Sequence, residues 1–86
     1  MRLVICLPDS EGRDFCRRRI NELAKIDSIT LTVDEVNPSE AGEGYFNLAD
    51  FADMDIVYIG VDRDCDGIRI AKSIRKAGIN AVIDAI

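Results

Sequence analysis

Residues 55–78, DIVYIGVDRDCDGIRIAKSIRKAG, set out an apolar segment, an acidic glycine-containing loop, an amphipathic segment and a glycine stop. Ile56, Val57, Tyr58, Ile59 and Val61 make a β-branched and aromatic run, too short for a helix and apolar on both faces. Such a run suits a central strand of a parallel sheet, which is covered on both sides. Beyond the loop the period becomes helical. Ile70, Ala71, Ile74 and Ala77 share one face, and Arg69, Lys72, Arg75 and Lys76 the other. Asp66 is placed to cap the first turn, and Gly78 to supply the left-handed residue that ends the helix. A second apolar run, 79–86, follows at once, with a strand expected over 79–83. The stretch reads as a β-α-β unit.

Outward from this unit the chain repeats the same grammar. Residues 2–7 (RLVICL) form a buried first strand, ended by Pro8, which has no N–H to give a ladder. Asp9 and Ser10 are cap candidates for a helix running to about Ile26, with Phe15, Cys16, Ile20 and Leu23 turned inward. Gly12 weakens its first turn by about 1 kcal/mol relative to Ala. Residues 29–33 alternate, with Ile29, Leu31 and Val33 on one face and Thr30 and Thr32 on the other, as in an edge strand with one wet side. Residues 34–44 are acidic and turn-forming, and 45–52 supply Phe46, Leu48, Ala49 and Phe51 for a short second helix. The order β-α-β-α-β-α-β predicts an α/β fold: an open, three-layer parallel sheet with strand order 2-1-3-4 and helices on both faces.

Composition narrows the class. The 86 residues make a single domain spanning 1–86, 48% hydrophobic and 31% charged, which is globular rather than disordered. No apolar run approaches the ~20 residues of a membrane span, and the first nine residues lack a signal-peptide layout. A net charge of −5 opposes nucleic-acid binding by this domain. Arg17, Arg18 and Arg19 fan out around a helix axis and read as a solvated face rather than a phosphate grip. The three cysteines, Cys6, Cys16 and Cys65, are far apart, form no CxxC pair, and there is no His. Disulfide framework, zinc site and His-dependent catalysis are all disfavoured, and a reducing cytoplasm fits. Carboxylates around Cys65 disfavour its thiolate, so it is a poor nucleophile.

Asp62, Asp64, Asp66 and Gly67 spell D-x-D-x-D-G, the opening of a calcium-binding loop in which alternate oxygens converge on one hard cation. The twelfth position, where a bidentate Glu closes the shell, is Ser73, and a strand rather than a helix precedes the loop. Weak Ca²⁺ or Mg²⁺ binding with water completing the shell is one reading. The simpler one is that aspartates near a helix N-terminus satisfy free N–H groups and complement the dipole. Gly42 and Gly44 lack the Lys-Ser/Thr of a P-loop, and Asp9/Glu11 and Asp53/Asp55 read as surface or turn residues. Asp9 and the 60–66 loop nevertheless fall at the carboxyl ends of neighbouring strands, where open α/β sheets bind ligands.

The stretch 55–78 resembles the region around the phosphorylation site of response-regulator receiver domains of two-component systems. There a strand ends in Asp, a loop closes on Asp-Gly, and an amphipathic helix with an Ala-x-x-Ile-Arg core follows. MRLVICLPDSEGRDFCRRRINEL similarly resembles the family's first strand, acidic turn and first helix, closest to the receivers of LytTR-type regulators. The resemblance implies a flavodoxin-like fold of which this chain spans about two-thirds, without the fifth strand and last helices. It also exposes departures. The family's phosphoacceptor Asp falls on Gly60, allowing one deleted loop residue, or on Ile59 without it. Leu7 and Pro8 stand where the Mg²⁺-holding acidic pair begins, leaving Asp9 as the nearest carboxylate and Glu11 beyond. The later hydroxyl and Lys have no counterpart. Phosphoryl transfer needs acceptor, metal and cation together, so the resemblance implies a pseudo-receiver that is not phosphorylated. Such a module acts by associating with a partner or an attached output domain, in transcriptional regulation. The alternatives are a divalent-cation binder using Asp62, Asp64 and Asp66, with Asp9 nearby, and a small α/β enzyme, for which no general base or nucleophile is poised. An open edge at Ile79, Ala81, Val82 and Ile83 predicts a homodimer through the fourth strand or through the face left bare, or pairing with a C-terminal region.

Overall fold

The computed structural model describes residues 1–38, 51–62 and 65–85, and of residues 62, 65 and 66 the backbone alone. Its elements are β1 (Arg2–Cys6), α1 (Ser10–Ile26), β2 (Thr32–Val36), β3 (Ile56–Ile59), β4 (Val61–Asp62), β5 (Cys65–Asp66), α2 (Gly67–Lys76) and β6 (Val82–Ala85). Four strands form one parallel sheet in the order β2-β1-β3-β6, while β4 and β5 pair separately. Numbered within the sheet, that order is 2-1-3-4, the one the alternation predicts. The apolar runs 2–7 and 56–59 fill the two central positions, and the more polar β2 lies at an edge.

Alternation along the strands divides the sheet into two faces. Val4, Cys6, Val57 and Ile59 point to one face, where Phe51, Met54, Ile70, Ile74 and Ala81 close the main core. Leu3 and Ile5, also buried, point to the other, and α1 lies over it with Ile20 and Ala24 beside Leu3. The sheet therefore separates α1 from α2. This follows from the chain reversing direction across the sheet after β2, since crossovers keep one hand.

Several expectations are corrected. The strand expected over 29–33 is β2 at Thr32–Val36. Residues 27–29 still close α1: Ser28 has φ 55°, and the Ile29 N–H donates to the Ala24 carbonyl at 2.8 Å. Pairing starts only where Thr32 comes opposite Arg2. Asp34 and Glu35, assigned to an acidic turn, thus lie within the strand. Glu35 is tolerated there because Arg17 (2.7 Å) and Arg13 (3.5 Å) of α1 reach it.

The fourth strand is displaced in the same way, to Val82–Ala85. Gly78 adopts φ 80°, as expected of the stop. Ile79 then folds back on Ile74 through its N–H, and Ala81 is buried, so neither is at an open edge. Ile83 also packs on the core, which leaves Val82, 56% exposed, as the one residue of that set that is bare. Val61 belongs to the β4–β5 hairpin, not to β3.

In α1 no residue is buried, and Phe15 (66% exposed) and Leu23 (56%) are not inward. The side turned to the sheet carries Arg13, Cys16, Arg17, Ile20 and Ala24, all half-buried. The registration is rotated because Arg13 and Arg17 bond Glu35 and the Leu7 and Val33 carbonyls, anchoring α1 over β1 and β2. Of the second helix expected over 45–52, residues 45–50 lie outside the described residues, and Ala77 falls just past the end of α2 and is exposed.

Candidate functional site

The carboxyl end of the central strands brings together the positions that the sequence singles out. Asp9 follows β1, and Gly60 follows β3, whose register with β1 pairs Cys6 with Ile59. The Gly60 N–H donates to the Cys6 carbonyl at 3.1 Å, extending the ladder by one bond. Gly60 therefore stands at the edge where open α/β sheets present ligand-binding groups, and it presents backbone only.

Asp9 is the N-cap of α1. Its extended backbone (φ −87°, ψ 119°) lets Oδ1 accept from the Glu11 N–H at 3.2 Å and Oδ2 from the Gly12 N–H at 3.3 Å. Two of the four orphan N–H groups of the helix start are satisfied in this way. Asp9→Ala is expected to destabilise the fold by about 1 kcal/mol, read from the urea midpoint, and Asp9→Ser to recover most of the loss. Arg13 is held nearby, its Nη1 donating to the Leu7 carbonyl at 2.6 Å.

Between Gly60 and α2 the expected acidic loop is a short antiparallel hairpin, with Val61 opposite Asp66 and Asp62 opposite Cys65. Asp64 and the side chains of Asp62 and Asp66 lie outside the described residues. Among the described residues no group of three or more His, Cys, Asp or Glu is placed to hold a metal ion. Ser73, the twelfth position of the calcium pattern, lies within α2, where its hydroxyl donates to the Arg69 carbonyl at 3.0 Å. Gly67, which opens α2, is buried against the end of β3. A Cβ there would run into the Gly60 carbonyl oxygen and Ile59 Cγ2.

The arginine triplet separates as consecutive helix positions must. Arg17 reaches Glu35, Arg18 pairs with Asp14 at 2.6 Å, and Arg19 lies along the flank of α1. Asp55 is a turn residue with a partner, accepting from the Arg2 N–H at 2.8 Å, and Arg2 also reaches Asp34 and Asp53.

A feature that the sequence reading missed lies on the α1 face. Phe15, Cys16, Arg19, Ile20 and Tyr58 line a recess of about 280 Å³, which adjoins a second of about 150 Å³ bearing Ile20, Leu23, Ile56 and Tyr58. Together they form a trough between α1 and β3. The i, i+4, i+8 spacing of Phe15, Arg19 and Leu23 was its available signal. A wider recess near 28–31, with Arg18, Glu22 and Lys25 on its wall, is separate from Asp9 and Gly60.

No helix among the described residues is long and apolar enough to cross a membrane. The fold and site define an α/β protein with an open four-stranded parallel sheet. No protein-family model matches the chain, and no curated protein or solved structure is significantly similar to it.

Proposed function

We propose that this chain is a non-catalytic pseudo-receiver: a flavodoxin-like, cytoplasmic signalling module that is not phosphorylated and acts by associating with a protein partner or output domain, in transcriptional regulation. The observation that carries the reading is Gly60. It follows the central strand β3 of a parallel sheet ordered β2-β1-β3-β6, at the position where the receiver resemblance requires an acceptor carboxylate. A glycine offers no side-chain carboxylate, and so neither a nucleophilic oxygen to accept a phosphoryl group nor a negative charge to hold the metal that would neutralise it. The nearest described carboxylate in the sequence order of the family's acidic pair, Asp9, has both oxygens engaged by the start of α1.

Incubation with acetyl phosphate and Mg²⁺ is the test. Intact-mass analysis is expected to show no covalent adduct, and beryllofluoride with Mg²⁺ to leave the amide NMR spectrum unchanged. A stoichiometric phosphoryl adduct on any aspartate would overturn the proposal.

A further inference from the structure

We propose that the trough between α1 and the β3–β6 half of the sheet is the seat of a second copy of this chain, docked about a two-fold axis running along the strands. This rests on the reading that the domain works by association, and it names the surface and the partner. Among the described residues α1 is the only helix on this face of the sheet, and it lies over β1 and β2. No element among the described residues covers the other half of the face. Phe15 and Leu23 of α1 and Val82 of β6 are each more than half exposed, at 66%, 56% and 56%, and Ile56 and Tyr58 between them are half-buried. An apolar trough rimmed by exposed apolar side chains is the kind of surface that takes a partner.

The occupant is indicated by how the two walls match. Tyr58 lines the recess of Arg19 as well as that of Leu23, and it is in register with Asp84 of β6. Ile56 shares the adjoining recess with Leu23 and is in register with Val82. Ile56 lines the recess of Leu23 and not that of Arg19, and α1 runs back against the strand direction, so Arg19 lies nearer the height of Asp84 and Leu23 nearer that of Val82. A two-fold axis parallel to the strands preserves height and exchanges sides. It sets Arg19 against the partner's Asp84 and Leu23 against the partner's Val82, twice over, as an isologous interface requires.

The layer spacing agrees with this arrangement. A helix is roughly 10 Å across, and two sheets packed face to face lie about 10 Å apart. A second β3–β6 half laid on the first thus comes level with α1, and its β6 edge meets the helix flank. Charge completes the match: among the described residues neither Arg19 nor Asp84 is in an ion pair, whereas Arg17 and Arg18 are. The edge strand of each copy is covered by the other copy's α1, which removes an exposed edge from both.

Sedimentation velocity on the 86-residue chain, from micromolar to millimolar concentration, tests the proposal. The wild type is expected to dimerise. Arg19→Asp and Asp84→Arg are each expected to weaken the dimer about tenfold or more, because two attractive pairs become repulsive. The double variant is expected to return to within about threefold of wild type. Both positions are exposed, so circular dichroism should report the same fold in all four proteins. A folded wild type that stays monomeric to millimolar concentration would overturn the proposal, and would leave the trough to a different chain. A dimer indifferent to both single reversals would overturn it as well, and would point to pairing along β6. Either result leaves the absence of phosphorylation standing, and a phosphoryl adduct would leave this interface test unaffected.

Discussion

Phe51→Ala is expected to lower the unfolding free energy by about 3–5 kcal/mol, the largest effect of any single truncation among the described residues. Phe51 is fully buried and is the largest such side chain among the described residues, packed in the core that joins β1 and β3 to α2. Truncation removes its transfer free energy and leaves a cavity that the strands on one side and α2 on the other close only partly. A domain of this size has total stability on the order of 5–10 kcal/mol, so the variant should be close to unfolding at 25 °C. Urea titration followed by circular dichroism measures it. Phe51→Leu, which keeps most of the volume, should cost less than about 1.5 kcal/mol. A loss below about 1 kcal/mol for the alanine variant would mean that this residue does not close the core.

Gly67→Ala is expected to destabilise the protein by about 1–3 kcal/mol, against the direction of helix propensity. Gly67 opens α2, where alanine would ordinarily be favoured by up to about 1 kcal/mol over glycine. Here the added methyl meets the Gly60 carbonyl oxygen, on a residue whose N–H is held by the Cys6 carbonyl, and Ile59 Cγ2, which is buried in the core, and it approaches Val61 Cγ2. A backbone carbonyl cannot rotate aside as a flexible side chain can. The start of α2 must therefore lift off the end of β3, loosening Ile70 and Ile74 in the core beneath. The urea midpoint should fall, and amide exchange should quicken first in residues 67–76. A variant as stable as wild type would show that α2 does not approach β3 this closely. The same glycine bears on the candidate site, because it sets the distance between α2 and Gly60.

Charge is where the sequence was hardest to read. Asp34 and Glu35 look like turn residues, since carboxylates are depleted from strands. They enter β2 because it is an edge strand and because Arg2, Arg13 and Arg17 come to them from β1 and α1. Those arginines also rotate α1, so that Arg13 and Arg17 face the sheet while Phe15 and Leu23 line a trough. Hydrophobic periodicity alone places the two apolar residues inward, and it cannot foresee ion pairs between elements far apart in the chain.

What the sequence determined by itself is local in origin. The β-branched runs at 2–6 and 56–59 demand burial on both faces and so the centre of a parallel sheet. Asp9 ahead of a helical period specifies the start of α1, and Gly78 in the left-handed region ends the turn after α2. The absence of a carboxylate at Gly60 is likewise a property of the sequence alone. Tertiary structure decided where β2 and β6 begin, which face of α1 meets the sheet, and that half of one sheet face is left bare among the described residues. The reason is physical: a strand's start is set by the register of the neighbour it pairs with, and a helix's rotation by the partners its charged residues find across space.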